Sequence, residues 1–478
     1  MNKKLNLNGV HVIRHGEHNI VVDAESGSLH LFDEASVKAL EEIEHAGGLL
    51  EVARRSSRIG EEVWDEIAVL IEGGLLYAPN PGMVEQRIPA GIKSLCLNIA
   101  HDCNLVCSYC FASQGDFGGG RSVMSPEIGR QAVDFLILNS GERELLELDF
   151  FGGEPLMGWE TVRSVVAYAL EQGPRQGKRF KFSLTTNGVL LTDEVIAFLL
   201  EHQVSVVLSL DGRKDINDRM RPFEGGASSY DRIVPRFLTL ARATDDYVIR
   251  GTYTRHNLDF SRDVEHFLDL GFRHISVEPV VCSETQAYGL RKEDVPRIRQ
   301  EYERLADVWL EHRRNGDPFD YFHFNVNIDG GPCIYKRVAA CGAGFEYLAV
   351  TPQGELYPCH QFVGQDDTRM GTVHDGLTEG ALTESFRSCH VFSKSECNVC
   401  WAKYYCSGGC HANNQEFNGT ISRPYDLGCT LHKTRLELAL YVQVQSKLEG
   451  LTAVRGKNDQ FRGADTQIYD KILTIMKK

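Results

Sequence analysis

Cysteine is the residue type whose number and spacing point most directly to chemistry in this chain. Of its 14 cysteines, three lie together in the segment HDCNLVCSYC, and most of the others fall between residues 333 and 429. Thiolates are soft ligands that suit zinc and iron–sulfur clusters. The first residues contain no apolar segment of the secretory type, so we expect metal or cluster ligation rather than disulfides.

The first group, Cys103, Cys107 and Cys110, has a C-x3-C-x2-C spacing directly after an apolar strand. Three thiolates on one loop can hold three corners of a four-iron cluster and leave the fourth iron open to a small chelating molecule. A zinc site is an alternative, but it needs a fourth ligand close by, for which His101 is the candidate. Core cysteines without a ligand are a third interpretation. We favour the cluster because it needs only the three thiolates.

The second group contains seven cysteines that are spread over residues 341–429. They are Cys341, Cys359, Cys397, Cys400, Cys406, Cys410 and Cys429. Seven ligands exceed the number that one tetrahedral site uses and suit two sites. Two zinc ribbons could use the same C-x2-C pair, so the spacing alone leaves zinc and iron–sulfur clusters open.

Six apolar strands, each followed by a helical pattern, must position the first group. They are predicted at residues 94–101, 146–153, 180–188, 204–212, 247–255 and 274–280. Strands that are apolar along their whole length are typical of a parallel sheet buried on both faces. Six units are too few for a closed eight-stranded barrel, so we predict an α/β fold with a partial (β/α)6 barrel at 92–315. Its ligand should lie at the carboxyl ends of the strands.

The flanking segments predict three further units. Residues 1–85 combine short strands and helices, with a last strand at 75–78, in a winged-helix-like unit whose open sheet edge could bind a peptide. An inert cap and a DNA-binding unit are alternatives, but the helix EASVKALEEIEHA is acidic. A cysteine-rich unit is expected at 320–430, and a helix with a polar tail at 431–478.

The charge balance excludes some partners. With 51 Lys and Arg against 66 Asp and Glu, the net charge is −15, which repels nucleic acids and anionic membrane surfaces. No stretch approaches 18 consecutive apolar residues. We therefore expect a cytoplasmic protein that acts on a peptide or a small molecule, with no nucleic-acid or membrane partner.

The C-x3-C-x2-C motif, with an aromatic residue before its last cysteine, resembles that of the radical S-adenosylmethionine (SAM) superfamily. The resemblance implies that Cys103, Cys107 and Cys110 hold a catalytic 4Fe-4S cluster that binds SAM. It also implies SAM contacts from Tyr109, Gly152, Gly153, Glu154, Thr186, Asn187, Ser209, Asp211 and Arg250. The glycines would let the backbone approach the ligand, and Glu154 would supply charge for its ammonium group. Ordinary strand-end turns are the alternative for these polar residues.

The seven-cysteine pattern resembles the SPASM domain of radical enzymes that modify peptides. The resemblance implies two auxiliary 4Fe-4S clusters, and hence three clusters in all. The distal cluster would be ligated by Cys397, Cys400, Cys406 and Cys429. The cluster nearer the barrel would be ligated by Cys341, Cys359 and Cys410, and its fourth corner would be either Cys333 or a thiolate of the substrate.

From about residue 93 to 430 the chain is similar to maturases of Cys-rich ribosomal peptides of the "six cysteines in forty-five" (SCIFF), or ranthipeptide, type. The matching stretches include NIAHDCNLVCSYCFASQGDFGG, LDFFGGEPLM, GPCIYKRVAACGAGFEYLAVTP and CNVCWAKYYCSGGCHANN. This similarity implies that a 5′-deoxyadenosyl radical removes hydrogen from a β or γ carbon of the peptide. A cysteine sulfur then bonds to that carbon as a thioether.

The same similarity implies two partners: a Cys-rich precursor peptide bound through its leader, and an electron donor such as flavodoxin or ferredoxin. Other peptide modifications are alternatives, namely an α-carbon thioether, a C–C crosslink or formylglycine. A non-catalytic iron–sulfur carrier or a zinc scaffold is an alternative of a different class. An iron–sulfur carrier or a zinc scaffold would need neither the barrel nor the Gly-Gly-Glu turn, so these two features argue against both.

Overall fold

The computed structural model describes residues 4–80, 82, 91–329, 338–339, 341–378 and 380–451. These residues form a three-stranded sheet near the N-terminus and a twelve-stranded sheet that runs through the rest of the chain. Within the described part of the chain, no helix is both long enough and apolar enough to cross a membrane.

The N-terminal unit is an antiparallel meander followed by three helices. Its elements are β1 (Val10–His15), β2 (His18–Asp23), β3 (Ser28–Phe32), α1 (Glu34–His45), α2 (Leu50–Ser56) and α3 (Glu61–Glu72). Helix α1 begins at the cap Asp33, whose side chain accepts a hydrogen bond from the Ser36 amide. Val21, Ile43 and Trp64 are buried in a core of its own, as expected of a small folded unit.

The strand predicted at 75–78 does not form in the structure. The carbonyl of Leu75 accepts hydrogen bonds from the Ser28 hydroxyl and from the ring of His30 instead of a neighbouring strand. Tyr77 has a φ of +52°, in the left-handed region that a strand cannot accommodate. Side-chain hydrogen bonds therefore replace the predicted ladder, and the segment ends as a turn against the sheet.

The central part of the chain alternates parallel strands and helices. Its strands are β4 (Ser94–His101), β5 (Ser122–Val123), β6 (Leu145–Gly152), β7 (Arg179–Thr186), β8 (Ser205–Ser209), β9 (Tyr247–Tyr253), β10 (His274–Pro279) and β11 (Asp320–Tyr321). Its helices are α4 (Pro126–Asn139), α5 (Trp159–Arg175), α6 (Asp193–Glu201), α7 (Lys214–Met220), α8 (Tyr230–Ala243), α9 (Ser261–Asp269) and α10 (Val295–Arg314). Strands β4 and β6 to β10 pair in parallel with their neighbours, so the six predicted units fit a partial barrel.

The cysteine-rich segment continues the same sheet. Its elements are β12 (Tyr347–Val350), β13 (Glu355–Tyr357), β14 (Gly371–Thr372), β15 (Gly376–Leu377), α11 (Gly380–Ser388), α12 (Ser395–Asn398), α13 (Lys403–Cys406), α14 (His411–Asn418) and α15 (Asp426–Leu448). Strand β12 pairs in parallel with β4, and β13 to β15 extend the sheet in antiparallel order. The first barrel strand is therefore an interior strand, flanked by β6 and β12.

The N-terminal sheet packs against the cysteine-rich segment and α15. Ile13 and Ile20 share an apolar cluster with Trp401 and Leu440. The ring of His11 stacks on the ring of Trp401, with centroids 4.2 Å apart and planes at 5°. The N-terminal unit thus contacts the segment that carries the second cysteine group.

Candidate functional site

A cavity of about 920 Å³ opens at the carboxyl ends of the barrel strands. The first cysteine group lies in one part of its wall, with strand-end residues beside it. The second group contributes Cys341, Cys406, Cys410 and Cys429 to the wall of the same cavity. The fold therefore brings together two cysteine groups that are more than 200 residues apart in the chain.

The loop of the first group depends on two glycines. A Cβ at Gly153 would lie 2.1 Å from the carbonyl oxygen of Asp102, and one at Gly115 would lie 2.9 Å from the Cβ of Cys103. Both contacts are shorter than side chains tolerate, so only glycine lets the β6 turn and the cysteine loop approach each other this closely. The amide of Glu154 donates to the Asp102 carbonyl at 2.9 Å, which fixes the loop on the end of β6.

The thiols of the first group are partly removed from water. Burial raises the pKa of Cys103 to about 12 and also raises the pKa of Cys107, while the Arg221 guanidinium opposes both shifts. Without a bound cation the thiols of Cys103 and Cys107 are therefore protonated at neutral pH. Because cysteine binds metal as the thiolate, cluster binding must displace these protons.

Tyr109 is held by a buried polar network. Its hydroxyl donates to Asp211 Oδ2 at 2.5 Å and accepts from Arg221 Nη1 at 3.0 Å. Asp211 Oδ1 also accepts from the Thr252 amide at 3.0 Å. Tyr109 lines the cavity, whereas Asp211 is completely buried behind it. Asp211 therefore supports Tyr109 from behind the cavity wall, and its predicted contact with SAM stays a prediction.

The carboxylate of Glu154 also lies behind the cavity wall. It is fully buried and accepts hydrogen bonds from the Thr186 hydroxyl at 2.8 Å and from the Asn187 amide at 2.8 Å. Burial raises its pKa to about 7. Both Glu154 oxygens accept hydrogen bonds from the end of β7, and a contact between Glu154 and the ammonium group of a ligand stays a prediction. The backbone of Gly152 and Gly153 lines the cavity in its place.

Four other predicted contact residues lie in the cavity wall. They are Thr186, Asn187, Ser209 and Arg250. The side-chain amide nitrogen of Asn187, Nδ2, donates to Asn104 Oδ1 at 2.8 Å and lies 3.6 Å from the Cys103 sulfur. Of the nine predicted SAM contacts, seven therefore line the cavity, and Glu154 and Asp211 support it from behind.

The sequence analysis missed a charged network in the same wall. Glu278 at the end of β10 lies 2.9 Å from His323 Nε2 and accepts from Arg435 of α15 at 3.3 Å. Burial would raise the pKa of Glu278, but His323 and Arg435 outweigh it and hold that pKa well below its usual range. A single sequence gives no local pattern that connects these residues, although Glu278 lies near the carboxyl end of the strand predicted at 274–280, where a ligand is expected.

A second cavity, of about 630 Å³, collects the four cysteines predicted for the distal cluster. Cys397, Cys400, Cys406 and Cys429 all line it. Cys397 lies in α12, Cys406 ends α13 and Cys400 lies in the link between these two helices, while the first turn of α15 brings in Cys429. Cys406 and Cys429 line both cavities, so a thin wall separates the two spaces.

The three cysteines predicted for the nearer cluster are electrostatic neighbours. Burial raises the pKa of Cys359 to about 12, and the charges of Cys410 and Cys341 raise it further. Cys341 and Cys410 line the large cavity. Cys333, the candidate fourth ligand, lies outside the described residues.

The arrangement of thiols fits clusters better than it fits isolated thiols. Apart from the buried Cys359, the cysteines of each predicted set line a cavity large enough for a polynuclear group, and soft thiolates are the usual ligands of such groups. Within the described residues, no three His, Cys, Asp or Glu side chains converge closely enough to hold a single metal ion. Cluster ligation by the individual cysteines stays a prediction.

Known proteins share this fold. Residues 97–255 match the model of the radical SAM superfamily. A serine-type anaerobic sulfatase-maturating enzyme of Klebsiella aerogenes is 26% identical over 354 residues, covering 70% of this chain and 83% of that protein. The solved structure of native anSMEcpe with bound AdoMet and the Kp18Cys peptide aligns with a TM-score of 0.63 at 20% identity, covering 74% of this chain and 99% of that chain.

A second solved structure, Streptococcus suis SuiB bound to S-adenosylmethionine, aligns with a TM-score of 0.53 at 16% identity, covering 89% of this chain and 100% of that chain. Both alignments confirm the α/β fold with a partial barrel that the sequence predicts. The superfamily match begins in β4 and ends just after β9, and so contains the first cysteine group and the Gly-Gly-Glu turn. Residues 97–255 therefore correspond to a radical SAM domain, and the chain is similar to the anaerobic sulfatase-maturating enzymes over most of its length.

Proposed function

We propose that this enzyme matures a ribosomally made, Cys-rich peptide by joining cysteine sulfur to a β or γ carbon of an acceptor residue. The observation that supports this proposal is the shared cavity, which is lined by Cys103, Cys107 and Cys110 together with Cys341 and Cys410. A peptide segment in this cavity would contact both cysteine groups at once. A thioether bond formed with loss of a hydrogen atom, a proton and an electron requires such a common site.

We propose that the first group binds a 4Fe-4S cluster and SAM, and that the second group binds two auxiliary clusters. Cys397, Cys400, Cys406 and Cys429 would ligate the distal cluster. The nearer cluster would be ligated by Cys341, Cys359 and Cys410, with Cys333 or a substrate thiolate at its fourth corner. When bound, these groups supply the 5′-deoxyadenosyl radical and a path for the electron that leaves as the thioether forms.

The chain's own residues orient the ligand and exclude water. Asp211 holds Tyr109 from behind the cavity wall, and Arg221, which itself lines the cavity, donates to the Tyr109 hydroxyl. The rings of Phe111 and His360 both approach Phe151, with centroids 6.3 and 4.9 Å away, and give the cavity an aromatic wall. An aromatic wall keeps water from a reactive radical and so limits side reactions.

The N-terminal unit is the proposed binding site for the leader of the precursor. Among the described residues, β1 and β3 each have a neighbouring strand on one side only, and an extended peptide can add to such an edge as a further strand. The likeness to a structure determined with bound AdoMet and a peptide supports a peptide substrate. We further propose a flavodoxin or ferredoxin as electron donor and a cytoplasmic location.

The test is an anaerobic incubation of the reconstituted enzyme with SAM, a reductant and the small Cys-rich peptide encoded nearest to it. Tandem mass spectrometry after thiol alkylation should show the loss of two hydrogens for every cysteine protected from alkylation. Cys103→Ala should abolish 5′-deoxyadenosine formation. Cys400→Ala, the matched control, should retain SAM cleavage and lose the crosslink.

Other results would change the proposal in defined ways. Equal residual crosslinking in the Cys103→Ala and Cys400→Ala variants would refute radical thioether formation. A hydrazide-reactive aldehyde in the peptide, without protection of a second side chain, would indicate formylglycine formation instead of a thioether. An unmodified peptide with 5′-deoxyadenosine still formed would preserve the radical chemistry and exclude this substrate.

A further inference from the structure

Two lysines of the cysteine-rich segment are buried, and they differ in their partners. The Lys403 side chain is 1% exposed and forms an ion pair with Glu25 of the N-terminal unit. Lys394 is also 1% exposed, and its ammonium donates to the carbonyl oxygen of Gly408 at 2.8 Å. Among the residues that the structure describes, no carboxylate lies within 4.0 Å of the Lys394 ammonium. A buried ammonium is costly unless an anion compensates it.

Lys394 lies between the two sets of cysteines. It caps α12 three residues before Cys397, whose amide donates to the Lys394 carbonyl at 3.1 Å. Gly408, which accepts from its ammonium, belongs to the turn that joins Cys406 to Cys410. Burial raises the pKa of the Cys397, Cys406 and Cys410 thiols, and the Lys394 charge opposes each of these rises. One cation thus acts on thiols of both sets.

We propose that Lys394 is the shared counter-cation of the two auxiliary cluster sites. This inference rests on the proposed function, because it takes both sets of cysteines as cluster ligands. Clusters held by thiolates carry net negative charge, and their reduction potentials depend on nearby charge and on hydrogen bonds. Lys394 stabilises the more negative, reduced form of each cluster and thereby raises its potential. It is a positioning residue, which acts by its charge and by holding the Gly408 turn, and it does not contact substrate.

The experiment compares Lys394→Met and Lys394→Arg with the wild-type holoenzyme, using the full chain reconstituted anaerobically. Iron and sulfide per chain are measured first, and the auxiliary clusters are then titrated with reductant and followed by electron paramagnetic resonance. In Lys394→Met the ratio of reduced to oxidised cluster at a fixed potential should fall about tenfold, which equals about 59 mV for a one-electron couple. Lys394→Arg should restore the wild-type midpoint.

Lys433→Met is the matched control, because this lysine also borders the second cavity and acts on Cys429. Lys433 is half-buried, so solvent screens its charge, and we expect less than about a twofold change. Equal midpoints in Lys394→Met and the wild type, at full iron content, would overturn the proposal.

A variant that loses iron also gives an answer. If Lys394→Met fails to retain auxiliary iron, Lys394→Arg decides: retention of iron with wild-type midpoints supports the counter-cation, and the same loss of iron refutes it. A wild-type chain that binds iron only at Cys103, Cys107 and Cys110 would instead refute the proposed auxiliary clusters. The failure of this inference and the failure of the proposed function are therefore distinguishable.

Discussion

The ion pair between Glu25 and Lys403 gives a quantitative test of how the N-terminal unit is joined to the cysteine-rich segment. Both side chains are at most 2% exposed, and the Tyr404 hydroxyl donates to the second Glu25 oxygen at 3.1 Å. Glu25→Gln keeps the shape of the side chain but leaves the Lys403 ammonium buried without an opposite charge. Removal of one partner of a buried ion pair costs about 3–5 kcal/mol. The lower figure corresponds to roughly a 150-fold increase in local opening.

Hydrogen–deuterium exchange of the β2–β3 turn and of residues 398–406 measures this opening. In Glu25→Gln the protected amides of both segments should exchange at least about a hundredfold faster. The double variant Glu25→Gln/Lys403→Met should be less destabilised than the sum of its single variants, because neither charge is then left unpaired. Lys447→Met is the control, since its ion pair with Asp329 is exposed and should contribute less than about 1 kcal/mol. Two results would refute the role of this ion pair in joining the N-terminal unit to the cysteine-rich segment. One is a double variant whose destabilisation equals the sum of the single variants, and the other is a Glu25→Gln variant whose amides exchange as slowly as those of Lys447→Met.

Three further predictions concern the barrel. Gly153→Ala should reduce 5′-deoxyadenosine formation by more than about a hundredfold, because its Cβ would lie 2.1 Å from the Asp102 carbonyl and displace a loop whose geometry is critical; wild-type turnover would contradict it. Tyr109→Phe removes a hydrogen-bonding partner from each of two buried charged groups and should cost about 1–3 kcal/mol, seen as a lower midpoint of thermal unfolding. The pKa of Glu154 is raised to about 7 in the folded state, so its contribution to stability is fully present below about pH 4.5 and is lost as the pH rises through 7. The thermal unfolding midpoint of the wild type, measured relative to that of Glu154→Gln, should therefore fall as the pH rises over that range. A rise of this midpoint would mean that folding lowers the pKa of Glu154 instead of raising it.

The strands of the barrel were predictable because burial on both faces of a parallel sheet leaves a continuous apolar run. The predicted strand at 94–101 coincides with β4, and the others differ from β6 to β10 by at most a few residues. Local spacing also grouped the cysteines, because ligands that share a loop or two adjacent helices lie close in the sequence as well as in space. Cys103, Cys107 and Cys110 follow this spacing, as do Cys397, Cys400 and Cys406, whereas the places of Cys341, Cys359, Cys410 and Cys429 were implied by the resemblance to the SPASM domain.

The direction in which a side chain points was not predictable. Glu154 stands beside two glycines that face the cavity, yet its carboxylate turns inward because Thr186 and Asn187 offer it hydrogen bonds from the next strand. Those donors become neighbours only when β6 and β7 pair. Contacts between distant elements were equally hidden: Glu278 and Arg435 are 157 positions apart, and nothing in either local sequence refers to the other.

Helix α15 connects three features of the molecule through different faces. Cys429 and Arg435 are six positions apart, which places them within about 120° of each other around the helix, and both line the large cavity. Glu437 is two positions beyond Arg435 and so points about 160° away from it; its carboxylate lies 2.9 Å from His11 Nε2 of the N-terminal unit. A shift of this helix by one residue would break the ion pair with Glu278, move a predicted cluster ligand and disrupt the contact with the N-terminal unit. Since packed cores resist such shifts, α15 fixes the proposed leader-binding unit in one position relative to the cavity where its peptide would react.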